Sequence, residues 1–405
     1  MSEHLSSLGI SISRLKPYAA VAAILPILLC TSRGVCAAAM QSDPYDQADD
    51  SHQIFSEFAY VVNSNFGDDF SGYRINIFTG ELTTVPGSPF PPGPYYEVNA
   101  AVAGVAIDSK DRFLYSASAG DFGGSLILGF SIETNGALTP LPSAAARAGG
   151  TLISLALDPS NRFLYAAGPE AGIVGYSVDA TTGLLTPVPG SPYDVGPPIG
   201  SVTIDPTGRF VYVLQLLGPG LLGYKIDPST GALTPIPGSP FAGLFGHVTV
   251  DPTGRFLYAF EGIGDVDIDE YTIDQHTGAL TLSPRSPFTA PVGVAGAAVD
   301  PAGRFLYVWD SNLVDTEASN QIVGFFINPF SGALTPLPGA PVPIGPVPNA
   351  LTVDPTGRFL YLVDGETVIG YSIDPLSGAL RPLAGSPVLT GLGPSGIAVG
   401  TFISH

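Results

Sequence analysis

One unit of sequence recurs through most of the chain, and this repeat constrains the fold more than any other feature. A complete copy reads as a short apolar strand, then D-P-x-G-R-F-L-Y, a variable stretch, and G-Y-x-I-D-P-x-S/T-G-A-L-T-P-L-P-G-S-P-F. Its arginine recurs at spacings of 50, 47, 46, 49 and 54 residues, at Arg112, Arg162, Arg209, Arg255, Arg304 and Arg358. Repeats of this length are typical of the four-stranded blades of β-propellers.

Each unit predicts four strands, here called a to d. In the unit around Arg255 they are expected at residues 248–250, 255–260, 269–273 and 279–282. Turn residues separate them, because proline presets φ and glycine accepts backbone angles that other residues avoid. The chain has 50 glycines and 40 prolines, yet 45% of its residues are hydrophobic, which excludes a disordered chain.

The two ends of the repeat region predict the number of blades. Six complete units lie between residues 101 and 388, whereas residues 58–90 carry strands b, c and d without a strand a. Residues 396–399 supply an unpaired strand a after the last complete unit. Pairing the two fragments makes a seventh blade and leaves no open sheet edge in the ring. The predicted fold is an all-β, seven-bladed β-propeller of four-stranded blades, closed by its own termini.

The first 39 residues have the features of a signal peptide. Arg14 and Lys16 precede an apolar run at residues 18–29, and Ala37 to Ala39 supply a small-residue cleavage site. We therefore divide the chain into a signal peptide (1–39), an acidic linker (40–57) and the propeller (58–405). The mature protein is expected to be periplasmic or extracellular, without a membrane span.

Charge restricts the partners. The chain has 15 Lys and Arg residues against 35 Asp and Glu residues, a formal net charge of −20. Such a negative field repels phosphate backbones, so nucleic acid is not expected as a partner. A small molecule such as a sugar lactone or polyol, or a protein ligand, remains open, and the chain is expected to be a monomer.

Polar residues recur at the end of strand b, six residues after each repeat arginine. This position lies on the face formed by the b–c and d–a connections, which vary between repeats and are here called the variable-loop face. Its predicted ligand-binding residues are Asn63, Gln215, Asp310 and Asp364. Because carboxylate oxygens suit hard cations, Glu261, Asp310 and Asp364 form a candidate calcium site, although no cofactor is required by the sequence.

A second position, at the start of strand a, carries small residues in every repeat except one. It reads Gly104, Ser154, Ser201, His247, Gly296, Ala350 and Gly396. Strand a is the innermost strand, so His247 is expected near the channel on the variable-loop face. His247 and Glu261 belong to the same unit, and we predict that they form a catalytic acid–base pair if the protein is an enzyme.

The motif of residues 248–258, VTVDPTGRFLY, resembles the YVTN-type propeller repeat and the repeat of the seven-bladed lactonase family. That family includes 6-phosphogluconolactonase-like proteins and a muconate-lactonising branch. The resemblance implies a propeller that uses histidine, glutamate and arginine around its channel. By motif it assigns only the histidine, at His247, and Arg147 is a candidate arginine by its place in a d–a loop.

Three functions remain open from the sequence. The first is a binding propeller that holds a ligand, a cation or a protein on its variable-loop face. The alternative is a lactone hydrolase in which His247 or Glu261 activates water. The third is a structural component of the cell surface. Fold does not choose among them, because function depends on the site.

Overall fold

The computed structural model describes residues 55–64, 69–93, 101–119, 125–141, 146–196, 198–216, 218, 220–243, 245–261, 267–290, 294–309, 320–339 and 341–403. The predicted signal peptide, and the linker before Phe55, lie outside these residues. No helix in these ranges is long and apolar enough to cross a membrane.

The described chain consists of β-strands arranged in seven sheets. Blade 1 contains β1 (Phe55–Asn63), β2 (Asp69–Ile75) and β3 (Leu82–Thr84). Blade 2 contains β4 (Ala101–Ile107), β5 (Phe113–Ala119), β6 (Leu126–Ile132), β7 (Leu138–Pro140) and β8 (Ala146–Arg147). Blade 3 contains β9 (Ser154–Leu157), β10 (Phe163–Gly168), β11 (Gly172–Val178) and β12 (Leu185–Pro187). Blade 4 contains β13 (Ile199–Ile204), β14 (Phe210–Gln215), β15 (Gly220–Ile226), β16 (Leu233–Pro235) and β17 (Phe241–Ala242).

The remaining blades follow the same order. Blade 5 contains β18 (Phe245–Val250), β19 (Phe256–Glu261), β20 (Asp267–Ile273), β21 (Leu280–Leu282) and β22 (Phe288–Thr289). Blade 6 contains β23 (Gly296–Val299), β24 (Phe305–Trp309), β25 (Gln321–Ile327), β26 (Leu334–Pro336) and β27 (Val342–Pro343). Blade 7 contains β28 (Pro348–Val353), β29 (Phe359–Asp364), β30 (Thr367–Ile373), β31 (Leu380–Pro382) and β32 (Val388–Leu389), and β33 (Pro394–Ile403) returns to blade 1.

The inner strands form a closed ring, which confirms the predicted propeller. Each contacts the next in the order β4, β9, β13, β18, β23, β28, β33 and back to β4. The closing blade is also confirmed, since β33 pairs antiparallel with β1 from Phe55↔Ile403 to Val62↔Gly396. This pairing extends β1 back to Phe55, into the segment that composition assigned to the linker.

Five blades carry a short additional strand that the repeat did not predict. Strands β8, β17, β22, β27 and β32 each pair with strand c of their own blade. They come from the segment after strand d, which continues along the same edge of strand c. Isolated bridges at Phe70↔Phe90 and Ile173↔Tyr193 occupy the corresponding places in blades 1 and 3.

The second strand of each blade is apolar on both sides because neighbouring blades cover both faces of the sheet. In β14, every residue from Phe210 to Gln215 is buried. A strand covered on both faces reads as a continuous hydrophobic run rather than as an alternation. This is why the F-L-Y segment of the repeat is so uniform.

A tyrosine in this strand joins every blade to the next. Its hydroxyl donates to the carbonyl of the glycine in the c–d turn of the neighbouring blade, as in Tyr212 to Gly278 at 2.8 Å. The seven pairs are Tyr60–Gly136, Tyr115–Gly183, Tyr165–Gly231, Tyr212–Gly278, Tyr258–Gly332, Tyr307–Gly378 and Tyr361–Gly80. Each buried hydrogen bond contributes roughly 1 kcal/mol.

The repeat aspartates and arginines form hydrogen bonds at the turns. The Asp205 carboxylate accepts hydrogen bonds from the backbone N–H groups of Arg209 and Phe210, both at 2.7 Å. The Arg209 guanidinium donates to the Gln275 carbonyl in the next blade. Arginines of blades 2, 5, 6 and 7 donate in the same way to Ala180, Pro329, Pro375 and Ile77. These residues therefore stabilise turns and blade contacts.

Glu57 is an acidic side chain inside the protein. It lies in β1 with 1% of its surface exposed, and its Oε2 atom has no hydrogen-bond partner among the described residues. Burial raises the pKa of Glu57 to about 7, with a further increase from Asp354 and an opposing effect of Arg358. The folded protein therefore binds a proton here at a pH where the unfolded chain has lost it.

We expect Glu57→Gln to stabilise the protein above pH 7 and to leave its stability nearly unchanged below pH 4.5. A raised folded-state pKa contributes stability that is fully present below the unfolded value of 4.5 and is lost as pH rises through about 7. Removing the charge should raise the free energy of unfolding by about 3 kcal/mol at pH 8. Urea unfolding of both proteins at pH 4 and pH 8 checks this. An equal difference at both pH values would contradict it.

Candidate functional site

The polar residues predicted at the ends of strand b lie where the repeat places them. Asn63, Gln215 and Asp364 are the last residues of β1, β14 and β29. All three are buried rather than solvated. The backbone of Glu261 ends β19 opposite Phe245, whereas its side chain and all of Asp310 lie outside the described residues.

The side chain of Asn63 is hydrogen-bonded to residues of its own blade. Its Nδ2 donates to Asp69 Oδ1 at 2.6 Å and to Ser71 Oγ at 2.9 Å. Its Oδ1 accepts from Thr390 Oγ1 at 3.1 Å, in the loop before β33. A Cβ atom at Gly391 would lie 2.5 Å from Asn63 Nδ2. These contacts hold the loop in place, and ligand binding by Asn63 stays a prediction.

Asp364 has a similar position in blade 7. Its Oδ1 accepts a hydrogen bond from the Val347 backbone N–H at 2.9 Å. The carboxylate also packs against Gly345, where a Cβ atom would overlap it. The described residues contain no group of three His, Cys, Asp or Glu side chains able to hold a metal. The calcium site predicted at Glu261, Asp310 and Asp364 stays a prediction, because two of its side chains are not described.

His247 lies on the inner strand of blade 5, as predicted. It pairs with Phe260, and the centroids of the two rings are 5.8 Å apart with an angle of 36° between the ring planes. The imidazole is partly buried, and a hydrogen bond joins it to the backbone of Ala297 on the inner strand of blade 6. Burial lowers the pKa of His247 to about 4, although the Ala297 bond partly opposes this. His247 is therefore neutral at physiological pH.

Arg147 lies away from the channel. It belongs to β8, which pairs with the outer side of β6, so β5 and β6 separate it from the inner strand β4. At about 4.8 Å per strand, three strand spacings put its backbone roughly 14 Å from the inner strand. The choice of Arg147 as the channel arginine was therefore wrong, because the additional outer strand was not visible in the repeat.

Three unpaired polar atoms lie on the same side of the ring as His247. They are Ser201 Oγ and Gln215 Oε1 in blade 4 and Trp309 Nε1 in blade 6, and none has a hydrogen-bond partner among the described residues. Each of these residues lies near the variable-loop end of its strand. Buried polar atoms are nearly always hydrogen-bonded in native proteins. Blades 4, 5 and 6 thus hold two oxygens, an indole N–H and a neutral imidazole toward the variable-loop ends of their strands.

Trp309 is the residue of this group that the sequence analysis missed. Its ring packs on Gly296, which occupies the same repeat position as His247, and a Cβ atom there would overlap the indole. Trp309 is also the only tryptophan of the chain. The sequence signal for Trp309 was a unique aromatic residue opposite a glycine. That signal can be recognised only when the pairing of the two strands is known.

Comparison with solved structures finds the same fold in proteins of low sequence identity. A protein of Bacteroides fragilis provisionally named a 6-phosphogluconolactonase is 18% identical, with a TM-score of 0.68 over 85% of this chain and 98% of that one. The periplasmic gluconolactonase of Pseudomonas aeruginosa is 19% identical, with a TM-score of 0.62 over 85% of this chain and 99% of that one. No family model and no curated protein sequence matches the chain. The resemblance predicted from the repeat is thus confirmed for the fold.

Proposed function

We propose that this chain is an exported binding propeller that holds a small hydroxylated ligand, such as a sugar lactone or polyol, at the variable-loop mouth of its channel. The observation that carries the proposal is the set of unpaired polar atoms on blades 4 and 6, on either side of His247. Leaving such atoms buried without partners costs about 1 to 3 kcal/mol each. A ligand that hydrogen-bonds to them recovers this free energy.

The chemistry of the group favours a neutral, hydroxyl-bearing ligand. Gln215 Oε1 accepts hydrogen bonds, Trp309 Nε1 donates one, and the Ser201 hydroxyl does both. The neutral imidazole of His247 adds no charge. Hydroxyl and carbonyl groups of a sugar-derived ligand match this mixture of donors and acceptors. The names of the two similar structures, a gluconolactonase and a 6-phosphogluconolactonase, support the same class.

Binding is favoured over hydrolysis by the acid–base properties of His247. A general base works best when its pKa lies near the working pH. The pKa of His247, about 4, makes the imidazole a weak base at neutral pH. The group is therefore suited to accepting a hydrogen bond from a ligand and poorly suited to removing a proton from water.

We expect His247→Ala and Trp309→Phe to weaken ligand binding while His276→Ala leaves it unchanged. Loss of the indole N–H with retention of the ring should weaken binding about tenfold, the effect of one hydrogen bond of about 1.4 kcal/mol. His276 lies exposed in the c–d turn of the same blade, on the opposite face, and is the matched control. Isothermal titration calorimetry with sugar lactones and their open-chain polyols measures the affinities.

The same samples separate the alternatives. Turnover of any lactone that disappears in His247→Ala would replace the binding proposal with the hydrolase. Absence of saturable binding across the panel by the folded protein would contradict the proposal. Titration with Ca²⁺ tests the cation hypothesis: an ion at Glu261, Asp310 and Asp364 would raise the melting temperature, and Asp310→Asn would remove that rise.

A further inference from the structure

Blade 5 departs from the repeat at three positions near its outer edge. Glu270 on β20 stands where the other blades have a glycine, at Gly72, Gly129, Gly175, Gly223, Gly324 and Gly370. Ser283 stands where they have Val85, Leu141, Val188, Ile236, Leu337 and Leu383. Arg285 replaces the glycine found at Gly87, Gly190, Gly238, Gly339 and Gly385. The changes add two charges of opposite sign to a place that is otherwise apolar.

In the other blades an apolar side chain covers the glycine and fills the space. A Cβ atom at Gly324 would lie 2.6 Å from Leu337 Cδ1, and one at Gly370 would lie 2.8 Å from Leu383 Cδ1. The cavities at these two places measure about 40 Å³ and 10 Å³. At the same place in blade 5 the cavity measures about 290 Å³. This approaches the lower limit of ordinary ligand pockets, the size expected for a small metabolite.

Glu270 places a buried carboxylate in the wall of this cavity. Its residue is 0% exposed, and the Ser283 hydroxyl is the hydrogen-bonding group beside its carboxylate. A Cβ atom at Gly332, in the neighbouring turn of blade 6, would lie 2.6 Å from Oε1. Burial raises the pKa of Glu270, whereas Arg285 and the nearby Ser283 hydroxyl oppose that rise. A buried carboxylate with a single hydroxyl beside it is costly, and a bound cationic group would offset the cost.

The opposite charge lies at the rim. Arg285 is exposed, and its Nη1 atom lies 3.4 Å from the Ser331 carbonyl oxygen that it donates to. The exposed side chains of Leu282 and Phe330 also line the cavity. Glu270 and Arg285 together leave the cavity without net charge, with a negative group in its wall, a positive group at its rim and apolar surface beside both. Thr272, Thr281 and Ser331 supply further polar lining.

We propose that this cavity between blades 5 and 6 binds a free α-amino acid with an apolar side chain. The ammonium group would pair with Glu270, the carboxylate with Arg285, and the side chain would pack against Leu282 and Phe330. A zwitterion matches both charges, whereas a simple cation is repelled by Arg285 and a simple anion by Glu270. The site is separate from the channel, because β19 lies between the inner strand carrying His247 and the strand carrying Glu270.

Calorimetric titration with L-leucine tests the proposal, with n-butylammonium and pentanoate as probes that each carry one of its two charges. Wild-type protein should bind leucine saturably and more tightly than either probe. Glu270→Gln should weaken leucine binding about tenfold or more. Arg285→Gln should weaken leucine binding by a similar factor, because the guanidinium that holds the leucine carboxylate is lost. The same change should not weaken n-butylammonium binding, because that guanidinium repels the ammonium group of the probe.

The double variant Glu270→Gly/Ser283→Leu is the matched control, since it gives blade 5 the residues of the other blades. It should melt at a higher temperature than wild type without ligand, because the buried charge is removed and the cavity is filled. It should also show no response to leucine. Leucine binding by this variant at wild-type affinity, or no saturable leucine binding by wild type, would overturn the proposal. Equal affinity for leucine and n-butylammonium would overturn the assignment of a zwitterion.

Discussion

Deletion of residues 394–405 is expected to abolish the folded propeller. These residues contain β33, which pairs along the whole of β1 and contacts β4 and β28 on either side. Without it, blade 1 loses its inner strand and the ring loses its closure. The unpaired edge of β1 is then a site for aggregation. We expect no cooperative thermal transition and loss of the native near-UV circular dichroism spectrum.

Two controls make this deletion specific to strand pairing. A chain that ends at Ile403 keeps β33 entire and should melt like the full protein. A circular permutant that places residues 394–403 before Phe55, joined by an Asp-Pro-Thr-Gly turn, reproduces the a–b connection of the other blades and should also fold. Cooperative unfolding of the truncated chain at wild-type temperature would show that closure does not hold the ring together.

A large loss of stability is also expected for Gly278→Ala in the c–d turn of blade 5. Gly278 has a φ of +76°, and a Cβ atom there would lie 2.5 Å from Phe210 Cδ1 and 2.7 Å from Ile236 Cδ1. Its carbonyl accepts the hydrogen bond from Tyr212 that joins blades 4 and 5. Backbone strain of about 1 kcal/mol and overpacking of about 1 to 3 kcal/mol predict a total loss of about 3 kcal/mol. Denaturant unfolding measures it.

Gly339→Ala separates the two contributions to that loss. Gly339 also has a positive φ, +87°, but no described atom lies within 4 Å of the position its Cβ atom would take. Its substitution should cost only the backbone strain, about 1 kcal/mol. Equal losses in the two variants would show that contact with Phe210 and Ile236 contributes nothing.

The fold was predictable because its determinants are local and repeated. Apolar strand segments, Asp-Pro-x-Gly turns and an incomplete unit at each end specify seven blades without any knowledge of distant contacts. The outer two-residue strands were missed, because their pairing with strand c depends on how the chain continues after strand d. Arg147 was misplaced for the same reason.

The candidate site was only partly predictable. The position of His247 on the inner strand follows from the repeat, and so does the position of Gln215 at the end of strand b. The side-chain partners of Asn63 and Asp364 come from loops, whose conformations no repeat defines. Trp309 became a candidate only when its pairing with Gly296 and its unpaired Nε1 atom were known.

Comparing one unit with another is enough to find the blade number, the closing strand and the residues that depart from the repeat. Which of those departures leave a polar atom unpaired follows only from the folded ring. Ser201, Gln215 and Trp309 are distinguished by the absence of hydrogen-bond partners among the described residues. That property depends on side chains from neighbouring strands and blades, which are brought together only when the ring closes.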